Sequence, residues 1–287
     1  MHWVEITDTT CHVYGQPANM MLPSYIEHLH LVSVRIFPHA LPHVRTLRIE
    51  ACNLTHVPTG LQNLRSLMFS LCAHVAALQD IMKAATQLRV LTVQNSNITE
   101  LRDIPRTVRT CSVAKCILFR GHADWPAALT TLSLGHCEAL TALPDSISAL
   151  AALRTLEVIS CPIVTLPDRL PPALQTLVVS WCTRLVRLPS SIGQLSELRH
   201  LTLNGSSRLR QLPLSIGNLA RLQTLSLVAC DSILPITVMW LARLTVLTVM
   251  GCHWTISHVR RACSTRNHAM KHVLFSLHCA TFTKDQI

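Results

Sequence analysis

One phrase recurs along this chain, and its spacing leaves few folds open. The phrase is Leu-x-x-Leu-x-Leu-x-x-Cys. It is clearest at Leu129, Leu132, Leu134 and Cys137; at Leu153, Leu156, Val158 and Cys161; at Leu174, Leu177, Val179 and Cys182; and at Leu222, Leu225, Leu227 and Cys230. Further copies end at Cys52, Cys72, Cys116 and Cys252, and two more put serine in the last slot, at Ser96 and Ser206. Together these are ten in-phase copies spaced 20 to 24 residues apart. Successive strand residues face opposite sides, so the closing Leu-x-Leu turns two side chains inward and one outward. One such unit cannot bury its apolar face alone, whereas stacked neighbours form a continuous core. The spacing predicts a coil of short parallel strands, one per unit. Fainter copies at Ile26, Leu29, Leu31 and Val34, and at Met270, Val273, Phe275 and His278, carry the register toward both ends.

The last slot of the phrase falls where the chain turns out of its strand. Cysteine there acts as a small hydrophobe with a weak S–H donor, so the eight slot cysteines are expected to form a buried ladder of unreactive thiols. A nucleophile or a metal ligand would need a base or a second ligand beside each one, and the repeat supplies neither. Neighbouring strands lie about 4.8 Å apart, within the Cα separation a disulfide tolerates, so side-chain direction is what opposes bonding between rungs. Cys11, Cys111, Cys263 and Cys279 lie off the ladder and are scattered, unlike paired capping cysteines. The expected setting is reducing and cytoplasmic.

Composition narrows the class further. Hydrophobic residues make up 49% of the chain, which leucine repetition explains. The most membrane-like stretch, 233–251, has Arg243 as its one charge, but Pro235 interrupts it and Leu244, Leu247 and Val249 keep it in repeat phase. A membrane-spanning helix needs about 20 apolar residues without such punctuation, so no span is expected. The opening residues, Met1 to Glu5, show neither the basic nor the apolar region of a secretory signal. The formal charge is +10, from 25 Lys and Arg against 15 Asp and Glu, and only four of those cations are lysine. Such a balance permits contact with anionic surfaces. Nucleic acid is disfavoured, because no recognition motif is present and few aromatics are available to stack on bases.

Three segments follow: an N-terminal cap at 1–22, repeats at 23–252 and a C-terminal cap at 253–287. In the first, residues Trp3 to Ile6 and Cys11 to Tyr14 suit a short hairpin. The repeats come in two lengths. Long units carry Leu188-Pro189-Ser190-Ser191-Ile192-Gly193, echoed at Leu212 to Gly217 and at Leu143 to Ile147, where Pro stops the extended stretch and Ile anchors a short helical turn. Short units return through prolines, as at Leu166 to Pro172 and Phe37 to Pro42, and are expected to stay extended. Thr255 to Asn267 reads as a capping helix, and Val273 to Leu277 as a last strand.

The period and phrase identify the chain as resembling leucine-rich repeat proteins. The fold this implies is an α/β leucine-rich repeat solenoid, a horseshoe with a parallel concave sheet and short helical or extended convex segments. The long units, Leu-Pro-x-x-Ile-Gly-x-Leu-x-x-Leu, resemble those of plant intracellular immune receptors. The short units, such as Leu41 to Ile49 leading to Asn53-Leu54-Thr55-His56-Val57-Pro58, are similar to repeats of bacterial type III effectors. The resemblance spans roughly residues 22 to 252. It implies a protein-recognition role, or alternatively the substrate-recognition part of an effector-type ubiquitin ligase. The chain shows neither the receptors' P-loop nor the Cys-x-Asp of one effector ligase class.

Candidate binding residues come from the exposed columns of the phrase. The position after the first leucine reads Arg45, Arg65, Arg89, Arg109, Thr130, Arg154, Gln175, Arg199, Gln223 and Thr245. Arginine there offers forked donors to carboxylates or phosphates, while a solvated edge is the plainer reading. The next position is mostly threonine and suits a β-ladder. Trp181 precedes Cys182, flanked by Ser160 and Gly205 in the matching slots, and either anchors a partner or folds over the next turn. The C-terminal Cys252, His253, His258, Cys263, His268, His272, His278 and Cys279 lack any Cys-x-x-Cys pair, so no metal is expected. No catalytic constellation assembles, since His136 and Cys137 are strand neighbours that face apart. The expectation is a non-enzymatic, cofactor-free binding module whose protein partner carries an acidic patch and meets Arg45, Arg65, Arg89, Arg109, Arg154, Arg199 and Trp181.

Overall fold

The computed structural model describes residues 3–15, 22–36, 40–54, 57–72, 76–230, 233, 244–252, 272–277 and 280–282. Its strands are β1 (Trp3–Thr7), β2 (Thr10–Tyr14), β3 (His28–Val32), β4 (Thr46–Glu50), β5 (Ser66–Ser70), β6 (Val90–Gln94), β7 (Thr110–Ala114), β8 (Thr131–Gly135), β9 (Thr155–Ile159) and β10 (Thr176–Ser180). They continue with β11 (His200–Thr202), β12 (Thr224–Ser226), β13 (Val246–Met250), β14 (His272–Leu277) and β15 (Ala280–Phe282). The architecture is a leucine-rich repeat solenoid built on a mostly parallel sheet, with few helices. It divides into two compact units, Met1–Thr131 with His136–Ala139 and Leu132–Gly135 with Leu140–Ile287.

In the first unit, β1 and β2 form an antiparallel hairpin, and β2 to β7 then run parallel in chain order. The register aligns two core columns. Cys11, Leu29, Leu47, Leu67, Leu91 and Cys111 make one, and Val13, Leu31, Ile49, Phe69, Val93 and Val113 the other; each of these side chains is buried. The off-ladder cysteines Cys11 and Cys111 thus occupy leucine positions. Residues 10–14, which carry no full phrase, form a rung in step with the others. One α-helix, α1 (Ala76–Ala84), closes the rung after β5, burying Ala77, Leu78, Ile81 and Met82 at helical spacing.

The second unit repeats the pattern. β9 to β14 pair in parallel, aligning Leu156, Leu177, Leu201, Leu225, Leu247 and Val273, and β15 returns antiparallel to β14. The long repeats carry 3-10 turns at Asp145–Ala149, Ser190–Gln194 and Leu214–Asn218, each preceded by proline and each burying its isoleucine: Ile147, Ile192 or Ile216. A proline's fixed φ suits the residue just ahead of such a turn, and its missing N–H costs nothing there. Gly193 is required for packing, because a Cβ on it would collide with the backbone carbonyl of Ser215 in the next turn. The short return at Leu166 to Pro172 has no helix and stays extended. The expected helix at Thr255 to Asn267 lies outside the described residues, as does most of 233–251. No helix among the described residues is long and apolar enough to cross a membrane.

The slot residues tie the rungs together. Cys52 Sγ lies 3.5 Å from Leu31 O in the preceding rung and 3.2 Å from Glu50 O at the end of its own strand. Cys116, Cys161, Cys182, Cys230 and Cys252 repeat both contacts, and Ser206 repeats the first, 3.5 Å from Val179 O. The slot amide of one rung donates to the slot side chain of the next, Val34 N to Cys52 Sγ at 3.3 Å and Cys72 N to Ser96 Oγ at 3.4 Å. The slot side chain thereby adds a donor to carbonyls at the turn, where buried backbone polar groups need partners. Just before the slot, the backbone enters the left-handed region at every rung from Ser33 through Ala51, Leu71, Asn95, Lys115, His136, Ser160, Trp181, Gly205 and Ala229 to Gly251. There the amide of that residue reaches the next strand, as Ala51 N does to Ser70 O at 3.0 Å.

Burial pushes the Cys72 and Cys182 thiols up to about 11 and that of Cys111 up to about 12. Of the ten cysteines among the described residues, all but the half-buried Cys252 are buried. A native state that holds its thiols protonated is favoured in full below the ordinary thiol value, and that advantage is lost as pH rises toward the folded value. The melting temperature should therefore hold up to about pH 9 and fall steeply by about pH 11, while the ladder thiols stay inert to a bulky disulfide reagent until the chain is unfolded in urea. Rapid labelling of the native chain would contradict the buried ladder. Leu177 is fully buried, and Leu177→Ala should cost about 2–5 kcal/mol in chemical denaturation through lost burial and a cavity. Val178→Ala, on the open face, should cost less than about 1 kcal/mol.

Candidate functional site

The residue after the first leucine of each repeat extends the sheet by one position. Its carbonyl accepts two amides from the next rung. Arg45 O takes Arg65 N at 2.8 Å and Ser66 N at 3.0 Å, Arg65 O takes Arg89 N and Val90 N, and Arg89 O takes Arg109 N and Thr110 N. That bifurcation fixes the column's spacing at one strand per residue, about 4.8 Å. In the first unit it stacks Arg45, Arg65, Arg89 and Arg109 on consecutive rungs, all exposed. Arg45 pairs with Glu27 at 3.3 Å, whereas Arg65, Arg89 and Arg109 form no ion pair among the described residues. A cavity of about 210 Å³ opens at the start of the ridge, where Arg45 and Arg65 meet Glu27, His43, Asn63 and Tyr25.

In the second unit the column alternates. Arg154 and Arg199 are exposed, but Gln175 stands between them and Gln223 and Thr245 follow. Thr130 and Thr245 turn their hydroxyls back onto Arg109 O and Gln223 O, at 2.9 Å each, which is a structural role. The six arginines read from the sequence are thus a ridge of four in one unit and two spaced residues in the other.

Trp181 occupies the left-handed position with φ +57 and is 55% exposed. Its ring also lies over the next rung, because a Cβ added to Gly205 would come within 2.5 Å of Trp181 Cε3. Gly205 supplies the floor on which the ring rests while its other face stays open to solvent. The matching residue His136 is exposed whereas Cys137 is fully buried, so the two form no catalytic pair.

A second constellation lies on the open sheet face of the first unit. His12 Nδ1 and His30 Nδ1 are 3.2 Å apart, and His30 Nε2 is 3.4 Å from Glu50 Oε2, which also lies 3.6 Å from an Arg48 guanidinium nitrogen. Burial, then the charge of Arg48, hold the His30 imidazole below its ordinary 6.5, although Glu50 pulls the other way. This group is not apparent from the repeat phrase, because β2 lacks a full copy. Aligning Cys11-x-Val13 with Leu29-x-Leu31 places His12 and His30 in one column. Among the described residues no group of three or more His, Cys, Asp or Glu is placed to hold a metal ion. The C-terminal Cys and His cluster falls almost wholly outside the described residues.

A family model described as a leucine-rich repeat region matches residues 128–280. That is just over half of the sequence, and the chain belongs to the leucine-rich repeat family. Among solved structures, the leucine-rich repeat domain of the type III effector XopL is similar at TM-score 0.54 and 24% identity, over 64% of this chain and 69% of that one. A chain of the Drosophila Toll–Spatzle complex is similar at TM-score 0.55 and 15% identity, over 97% of this chain and 52% of that one. An internalin from Listeria monocytogenes reaches TM-score 0.49 at 17% identity, over 94% and 87%. At these identities the likeness is one of fold. No curated protein sequence matches the chain.

Gly205→Ala forces the Trp181 ring off its floor. The change should shift the Trp181 emission, read as the difference from a Trp181→Phe background. An unchanged difference spectrum would mean that the ring does not rest on Gly205.

Proposed function

We propose that the chain is a non-catalytic module that binds a partner protein through the concave side of its repeats, with the arginine ridge of the first unit meeting an acidic patch. The observation behind this reading is the stack of Arg45, Arg65, Arg89 and Arg109 on consecutive rungs, three of them without a carboxylate among the described residues. Like charges held side by side on a sheet repel, and partner carboxylates would relieve that repulsion through forked hydrogen bonds. Trp181 in the second unit is a separate aromatic contact, and Arg154 and Arg199 add charge at the same repeat position within that unit. The regular, buried ladder of slot cysteines supports a reducing, cytoplasmic setting.

The test is recovery of partners from cell lysate by the wild type and by Arg89→Glu with Arg109→Glu, at matched salt. The expected outcome is an acidic protein held by the wild type, released progressively by salt as the screening length shortens, and bound at least about tenfold more weakly by the variant. Retention of the same protein by the charge-reversed variant would remove the ridge from recognition.

A further inference from the structure

We propose that the open face of β2 to β4 is a proton-gated docking surface for carboxylate side chains, with His12 and His30 as its gate. The inference rests on reading the first unit as the acidic-partner surface and names a regulation within it.

One hydrogen-bond arrangement satisfies this cluster with both rings neutral. His12 Nδ1–H donates to His30 Nδ1, and His30 Nε2–H donates to Glu50. The rings meet edge to face with centroids 5.3 Å apart, and Tyr14 covers His30 from the side at 6.4 Å. A proton added at His30 Nδ1 is accommodated while His12 carries its own proton on Nε2 and accepts at Nδ1, and a second proton on the pair removes the last acceptor between the rings. Two ring N–H groups would then face each other across 3.2 Å, beside the Arg48 guanidinium, and the rings must part.

The charged and titratable groups around the pair can be named strand by strand. Glu5 of β1 lies opposite His12, His28 shares β3 with His30, and Arg48 and Glu50 come from β4. Beyond them β5 brings only Met68 and Ser70. At neutral pH Glu5 and Glu50 stand against Arg48, so the face carries a net negative balance. Protonation of His12 and His30 adds two positive charges and turns free N–H donors toward the open face. The arginine ridge begins beside β4 at Arg45 and continues along β5 to β7, so the patch changes from one that repels partner carboxylates to one that adds positive charge beside the start of the ridge. Carboxylates of the partner remain ionised well below the range in which histidine gains its proton, so acidification strengthens binding.

The experiment uses a fluorescent hexaglutamate peptide as probe, with affinity measured by anisotropy at about pH 7.5 and about pH 5.5, the span over which histidine changes charge. The wild type should bind about tenfold or more tightly at the lower pH, the scale of one charge-assisted hydrogen bond. His12→Asn with His30→Gln should lose the rise. Arg65→Glu with Arg89→Glu should weaken binding at both values and keep the rise. Its failure to weaken binding overturns the ridge reading alone. A wild type that binds the peptide at neither pH, or equally at both, overturns the gate, and so does a histidine variant that keeps the rise. NMR titration of the wild-type imidazoles supplies a check independent of folding in the variants. His30 is expected to titrate below its ordinary value. Titration of His30 at the ordinary histidine value would equally overturn the proposal.

Discussion

The turn that ends each strand is the constraint on which the rest depends. A parallel strand that must leave its sheet after five residues strands its last carbonyls in a dry interior, and buried carbonyls need donors. The chain meets that need with two linked devices. The residue before the slot swings into the left-handed region, and the slot side chain reaches back to the carbonyl two residues earlier and to one in the preceding rung. A left-handed conformation costs a non-glycine residue roughly 1–2 kcal/mol, and bulky residues such as Leu71 and Trp181 bear that cost here. What offsets it is repetition, because each turn completes hydrogen bonds for two rungs at once. A single such turn would be unfavourable, whereas a stack of them is mutually supporting.

The same backbone logic governs the electrostatics. Since each carbonyl in the arginine column accepts two amides of the next rung, the side chains above it have no freedom to spread along the chain. Their spacing is set by the sheet and their identity by the sequence. Four arginines in a row on that frame form a fixed line of positive charge, whereas the alternation of Arg154, Gln175, Arg199 and Gln223 dilutes it. On the open face the opposite balance holds at neutral pH, with Glu5 and Glu50 against Arg48 and a neutral histidine pair between them.

Much of this was legible in the sequence because the inward residues are repeated chemistry. Leu156, Leu177, Leu201 and Leu225 announce one column, and their burial follows from strand alternation. The helical turns after Pro189 and Pro213 and the extended return through Pro167 were equally visible, as prolines restrict the backbone in known ways. Other features were hidden for physical reasons. The rung at Thr10 to Tyr14 escapes the phrase because Cys11 and Val13 replace two leucines and no slot cysteine follows. Helix α1 is written in the spacing of Leu78, Ile81 and Met82, inside a repeat as long as those that carry only 3-10 turns. The left-handed column has no signature at all, since Ala, Leu, Asn, Lys, His, Ser and Trp share no side-chain preference for it. The histidine pair is a property of register between strands, which a linear reading does not display.

The hairpin formed by β1 and β2 has a further consequence. Each rung from β2 to β7 carries hydrogen-bonding groups that another parallel strand can match, and a repeat array ending on such a rung would template the addition of another copy. Reversing β1 changes the spacing and direction of the outermost hydrogen-bonding groups, so a neighbouring molecule's parallel rung no longer fits in register. Glu5, on the exposed strand, adds a charge that further discourages pairing. Beside β2 the sheet thus presents an antiparallel strand in place of a further parallel rung.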